Sequence, residues 1–171
     1  KARLSFSLLS PENCLLRAAP RGAGLEGVRD RLKGMLIDVD GSAVFEEYRE
    51  KVLRYLETSV PAFLRAYQSL LRFADPRVPT LQVEYHADLD RLLLKYNEKF
   101  ILFCSALEYV GNTQFYVDFE ECYVYTTSFL FCHEIAHILL SHLNNPDPGI
   151  LENVWAEAPD CYINSELLDL R

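Results

Sequence analysis

The sequence is poor in several residue types and has no excess of positive charge. Its 171 residues include one methionine, one tryptophan and four histidines, and the formal net charge is -8. Because no stripe of lysine and arginine is present, the composition argues against nucleic acid or an anionic membrane surface as the main partner. No stretch of 18 residues is both apolar and free of charged side chains. We therefore expect no membrane span. No signal-peptide pattern is seen at the start of the sequence.

The cysteines show no pairing pattern. There are five of them, an odd number, and none lies in C-x-x-C spacing: Cys14, Cys104, Cys122, Cys132 and Cys161. Reduced thiols in a cytoplasmic protein are therefore expected rather than a disulfide framework. Hydrophobic residues make up 50% of the sequence and aromatic residues 12%, which predicts a folded globular protein. The length suits a single domain over residues 1–171, which can itself belong to a longer protein.

Three of the four histidines lie close together, in the segment CHEIAHILLSHL of residues 132–143. Within it, His133, Glu134 and His137 form an H-E-x-x-H pattern in an otherwise apolar run. On a helix, residues four apart share one face, so both imidazoles can turn a nitrogen toward one point. Zinc binds neutral imidazole, and a catalytic zinc has three protein ligands and one open position. The alternative is a hydrogen-bonded pair of core histidines, although an apolar helix normally buries such polar groups only where they have a partner.

The rest of the sequence predicts an α+β fold: N-terminal helices, a small antiparallel sheet, and then the helix that carries the motif. Periodicity predicts helices at residues 26–36, 44–56, 62–74 and 86–96, with a turn at 38–41. Short apolar or alternating runs predict strands at residues 4–9, 100–104, 114–118 and 122–126.

The third metal ligand is expected on the segment that follows the motif. Residues 144–146 end the helix, and residues 147–148 can open a second helix that returns antiparallel to it. At about 1.5 Å per residue, His133 lies about 15 Å before the turn and Asp160 about 18 Å after it. Asp160 can therefore come level with the histidines. Glu157, three residues earlier on the same face, remains the alternative ligand.

Two other side chains fit the metal less well. His142 lies about 140° round the helix from His137, so it points away from the shared position. Cys132 precedes His133 directly and therefore faces about 100° away from it. A closed structural zinc site that combines the histidines with cysteine is accordingly the weaker interpretation.

The motif and its surroundings resemble the zincin metallopeptidases. They are similar to the bacterial metallopeptidase domain associated with von Willebrand factor A-like proteins, in which H-E-x-x-H is followed by an apolar stretch and a histidine, here residues 138–142. That domain continues with a tryptophan, a small residue, an aspartate and an Ile-Asn pair, matched by Trp155, Ala158, Asp160 and residues 163–164. The resemblance covers roughly the last quarter of the chain. A broader set of cytoplasmic H-E-x-x-H proteases, which the chain also resembles, uses a glutamate on the following helix as third ligand, and Glu157 is the corresponding alternative to Asp160.

The resemblance implies a zincin-like domain that hydrolyses peptide bonds with Zn²⁺. Its metal ligands would be His133, His137 and either Asp160 or Glu157. Glu134 would be the general base that takes a proton from water and passes it to the leaving amine. The partner would be a protein or peptide substrate, and the oligomeric state stays open. The rival hypothesis is a non-catalytic metal-binding or pseudoprotease module that binds a protein partner.

Two segments are candidates for binding the substrate, and four side chains are candidates for stabilising the oxyanion. Zincins usually pair an extended substrate with an edge strand above the metal helix, and residues 114–118 or 122–126 are predicted to supply it. A buried structural strand is equally compatible with either segment. The candidates for the oxyanion donor are Tyr123, Tyr125, Tyr162 and His142.

Overall fold

The computed structural model describes residues 25–140 and Leu167. In this part of the chain, five α-helices and a three-stranded sheet form a mixed α+β arrangement, which confirms the predicted class. The helices are α1 Leu25–Leu36, α2 Gly41–Ser59, α3 Pro61–Ser69, α4 Glu98–Gly111 and α5 Phe119–Leu139. The strands are β1 Leu71–Ala74, β2 Leu81–His86 and β3 Arg91–Tyr96.

Side-chain caps fix where three of the helices begin. The Asp40 carboxylate accepts a hydrogen bond of 3.0 Å from the Ser42 amide at the start of α2. Asn97 accepts from two backbone amides at the start of α4, and Asp118 accepts from the Glu121 amide at the start of α5. Each cap satisfies an amide that has no partner within the helix, and such a cap is typically worth about 1 kcal/mol.

The predicted N-terminal helices are largely confirmed. Residues 26–36 and 44–56 lie within α1 and α2, and the turn at 38–41 contains Asp38 in the left-handed region, at a φ of 58°. Aspartate adopts that conformation more readily than most residues. The helix predicted for residues 62–74 ends at Ser69, because the chain turns there into β1. The strand predicted for residues 4–9 lies outside the described residues.

The helix predicted for residues 86–96 is wrong, because this segment forms a hairpin. β2 pairs antiparallel with β3, with Val83 opposite Leu94, and Asp90 makes the tight turn at a φ of 50°. β1 pairs parallel with β3, so the strand order is β1-β3-β2 and the sheet is only partly antiparallel. The predicted helix covers the turn and β3, whose apolar run Leu92–Leu94 does not by itself separate helix from strand, while the alternation in β2 lies before it.

The strands predicted for residues 100–104, 114–118 and 122–126 are also wrong. The first lies within α4 and the last within α5, while residues 114–118 contain part of a 3₁₀ turn, Thr113–Phe115, and its exit. Both helices are buried on several faces, so their sequences lack the one-sided apolar stripe of a surface helix. Short apolar runs of this kind do not separate a buried helix from a buried strand.

Helix α5 runs through the centre of the described fold and contacts α2, α3, α4 and β2. Its Phe131 ring packs against the rings of Phe45, Tyr67 and Tyr96, at centroid distances of 6.2, 5.1 and 5.7 Å. Burying an aromatic side chain of this size contributes about 1.5–3 kcal/mol. The cluster therefore holds α5 in place at Phe131, two residues before the motif begins at His133. Among the described helices, none is long and apolar enough to cross a membrane.

Candidate metal centre

The two histidines of the motif converge. His133 and His137 lie on successive turns of α5, and they are only 1% and 3% exposed. Their Nε2 atoms are 3.1 Å apart, and their ring centroids are separated by 4.9 Å. The helix therefore brings both imidazoles to one point inside the protein, as the four-residue spacing predicts.

The separation of the two nitrogens fits a shared metal ion. Zinc–nitrogen bonds of about 2.0–2.1 Å at a tetrahedral angle place two ligand nitrogens about 3.3 Å apart, close to the observed 3.1 Å. The same distance suits an N–H···N hydrogen bond in which one imidazole donates to the other.

Glu134 lies inside the same region of the fold. It follows His133 directly on α5, about 100° further round the helix, and the residue is only 5% exposed. A carboxylate seldom becomes buried unless it is paired or takes part in chemistry. The described site thus combines two convergent imidazoles with a buried carboxylate from the same turn of helix.

The surroundings of the histidines are apolar. The ring of Phe129, one turn earlier on α5, lies with its centroid 6.5 Å from that of His133. Cys132 faces elsewhere and lines a small cavity together with Tyr125 and Leu167. Burial raises the pKa of the Cys132 thiol to about 12, so the sulfur stays protonated at neutral pH. Neither histidine of the motif lines that cavity.

The expected third ligand lies beyond the described part of the chain. Asp160 and Glu157 are outside it, as are His142 and Tyr162. Within residues 25–140 and Leu167, no group of three or more metal-binding side chains is assembled. The described site therefore consists of His133, His137 and Glu134.

Two of the predicted oxyanion donors are too far away. Tyr123 and Tyr125 precede His133 by ten and eight residues on the continuous helix α5, so they lie about 15 and 12 Å from it along the axis. Tyr123 is fully buried against Tyr48, and burial raises the pKa of its hydroxyl. Both residues belong to the packing of α2 against α5 rather than to the histidine site.

The described residues include a strand edge that none of them pairs with, but it lies elsewhere than the sequence predicts. Residues 114–118 and 122–126 are not strands, whereas β2 is an edge of the described sheet and contacts α5. Within the described residues, β2 pairs with β3 alone. The alternation in Leu81, Val83 and Tyr85 is the signal that could have identified it.

Comparisons of the chain with protein-family models, with curated proteins and with solved structures found no match. The resemblance to zincin metallopeptidases therefore depends on the motif and the residues that follow it. The interpretation of the site accordingly starts from its geometry.

Proposed function

We propose that this protein is a zinc-dependent peptidase that uses His133 and His137 as metal ligands and Glu134 as general base. The observation that carries the proposal is the 3.1 Å separation of the two Nε2 atoms at a buried position. The H-E-x-x-H spacing supports it, because two histidines and a glutamate in this order have a specific task in zinc peptidases.

The proposed roles follow from the chemistry of each group. Zinc held at this point would lower the pKa of a water molecule toward neutrality and polarise the carbonyl of a peptide bond. His133 and His137 would hold the ion through their Nε2 atoms, at a buried position. Glu134 accepts the proton of the attacking water and delivers it to the leaving amine. We assign the third ligand to Asp160, with Glu157 as the alternative.

We further propose that an extended peptide substrate adds to the free edge of β2. Strand addition supplies main-chain hydrogen bonds that do not depend on the substrate sequence, and alternate side-chain positions supply specificity. The contact between β2 and α5 supports this placement, because it brings that edge to the helix that carries the motif. In this proposal β2 takes the role that the sequence patterns gave to residues 114–118 or 122–126.

Metal content tests the proposal most directly. Elemental analysis of protein purified without chelator or histidine tag is expected to find about one zinc per chain in the wild type. The double variant His133→Ala/His137→Ala is expected to lose it. His86→Ala is the matched control, since His86 lies at the end of β2, outside the motif, and its loss should leave the zinc content unchanged.

Circular dichroism of all three proteins shows whether the variants are folded. A wild-type protein that takes up no zinc, even when the ion is offered to the folded chain, would contradict the proposal. The pair would then be a hydrogen-bonded element of the core. Zinc retained by the double variant would equally contradict the ligand assignment.

A further inference from the structure

Leu167 packs into the core from a part of the chain that is distant from α5 in sequence. Its side chain is 7% exposed and belongs to the hydrophobic cluster that surrounds α5. Together with the end of α2 and four residues of α5, it lines a small cavity of about 30 Å³. Those four residues are Tyr125, Ser128, Phe129 and Cys132. Leu167 therefore lies beside the two turns of α5 that precede the H-E-x-x-H motif.

Phe129 connects this cavity to the histidine site. Its half-buried ring lines the cavity, as Leu167 does, and lies with its centroid 6.5 Å from that of His133 at an interplanar angle of 42°. This distance and tilt are ordinary for two aromatic rings in contact. The two residues are four apart on α5, so they occupy neighbouring turns on one side of the helix. Phe129 thus lies between the cavity and the imidazole of His133.

The position of the Phe129 ring affects how the imidazole of His133 is held. That imidazole is 1% exposed, and its centroid is 4.9 Å from that of His137. It therefore has Phe129 one turn before it and His137 one turn after it. Contacts that orient a ligand histidine are important for the metal, and losing one typically costs about 10- to 100-fold in metal affinity. Displacement of Phe129 would let His133 turn away from its 3.1 Å approach to His137.

We propose that Leu167 is a positioning residue for the proposed metal centre, because it keeps the Phe129 ring against His133 and thereby fixes the direction of the His133 Nε2 atom. The inference rests on the proposed function, since this direction matters for zinc only if His133 binds the ion. Replacing Leu167 by alanine would enlarge the cavity beside Phe129, and the side chains around such a space close it only in part. The Phe129 ring would gain room to move, and the imidazole would lose a fixed neighbour.

Zinc affinity, measured by competition with a chromophoric chelator, tests the proposal. We expect Leu167→Ala to bind zinc about ten-fold more weakly than the wild type does. Leu167→Met keeps nearly the same side-chain volume and should restore most of the affinity. The matched control is Leu107→Ala, because Leu107 is 5% exposed but belongs to a core cluster between α1 and α4 that does not include Phe129. The control should lose a similar amount of stability and keep the wild-type zinc affinity.

A double-mutant cycle shows whether Leu167 acts through Phe129. If it does, Leu167→Ala should weaken zinc binding far less in a Phe129→Ala background than in the wild type. Equal losses in the two backgrounds would contradict the proposed route. An unchanged zinc affinity in folded Leu167→Ala would overturn the proposal. A loss in Leu107→Ala as large as that in Leu167→Ala would also overturn it, since reduced stability alone would then explain the effect.

NMR signals of the His133 ring in the zinc-free protein separate this proposal from the peptidase proposal. The signals are assigned with His133→Ala, and they report the surroundings of the ring whether or not zinc binds. We expect Leu167→Ala to shift them and Leu107→Ala to leave them in place. If the wild type binds no zinc while these shifts occur, the peptidase proposal fails and the positioning of His133 by Leu167 stands. Unchanged signals in Leu167→Ala would overturn the positioning role even where zinc binds.

Discussion

Gly41 lies directly against the backbone of α4. A Cβ atom on Gly41 would be 3.1 Å from the Lys99 amide nitrogen and 3.2 Å from the Glu98 carbonyl oxygen. Backbone atoms at the start of a helix cannot move aside as the end of a flexible side chain can. The first turn of α2 therefore packs so closely on the first turn of α4 that a Cβ atom at position 41 would force the two backbones a few tenths of an ångström apart.

Gly41→Ala is accordingly expected to lower the free energy of unfolding by about 1–3 kcal/mol, the usual effect of overpacking. Gly34→Ala is the control, because a Cβ on Gly34 meets nothing within 4 Å. That substitution should raise stability by about 0.5–1 kcal/mol through helix propensity. Urea unfolding of both variants measures the difference, and equal effects would show that the contact with Lys99 does not constrain position 41.

Two buried serines should respond to alanine in opposite ways. The Ser105 hydroxyl donates a 2.9 Å hydrogen bond to the Ile101 carbonyl, whereas the Ser128 hydroxyl has no hydrogen-bond partner within the described structure. A buried hydroxyl that lacks a partner costs about 1–3 kcal/mol. We therefore expect Ser128→Ala to raise the melting temperature and Ser105→Ala to lower it, as measured by thermal unfolding. A destabilising effect of Ser128→Ala would show that its hydroxyl is bonded in solution.

The Asp75–Arg77 pair predicts a dependence of stability on pH. Two side-chain hydrogen bonds from Arg77, at 2.8 and 3.0 Å, and one from its backbone amide lower the pKa of the Asp75 carboxyl from 3.8 to about 2. A carboxyl whose pKa is lower in the folded state stabilises the protein above its unfolded-state pKa. That contribution is lost as the pH falls from about 4 to about 2.

Asp75→Asn should thus be less stable than the wild type at pH 6, and the difference should shrink below pH 4. Asp88→Asn is the control, since Asp88 lies exposed in the hairpin turn. Chemical unfolding at several pH values measures both. A difference that stays constant from pH 6 to pH 2 would show that the loss comes from hydrogen-bond geometry rather than from charge.

Glu134→Gln separates the role of a base from that of a ligand. The variant keeps the size of the side chain and should retain zinc, while peptide hydrolysis is expected to fall about 10²- to 10⁴-fold, because the amide cannot accept the proton of water. Zinc analysis and the turnover of a casein substrate measure the two effects. Glu57→Gln on the exposed side of α2 is the control. Loss of zinc would make Glu134 a ligand, and retained turnover would contradict its role as base.

Local chemical signals predicted the parts of the fold that depend on them. The amphipathic spacing in α2 can be recognised from sequence, and the four-residue spacing of His133 and His137 fixes their common face. By contrast, α4 and α5 are packed against other elements on several sides, so their apolar residues are not confined to one face. Their helical period was therefore hidden, and Tyr123 and Tyr125 suggested a strand.

The strand order of the sheet could not be predicted, because it depends on pairing between segments that are far apart in the sequence. β1 is only four residues long and lies beside β3, which follows twenty residues later, so the parallel pair has no local signature. The hairpin of β2 and β3 did carry one, in the alternation around Val83 and in the turn at Asp90. The approach of Gly41 to α4 is likewise a tertiary contact, and the sequence gives no sign of it.

One continuous helix, α5, carries both Tyr125, which packs against Tyr55 of α2, and the histidine pair. An insertion of a single residue between Tyr125 and His133 would turn one half of α5 relative to the other by about 100° and shift it by about 1.5 Å. The helix is buried on nearly every side, so after such an insertion only one of its halves could keep its original packing in the core. The length of this stretch should therefore be fixed among homologous chains, even where its side chains differ.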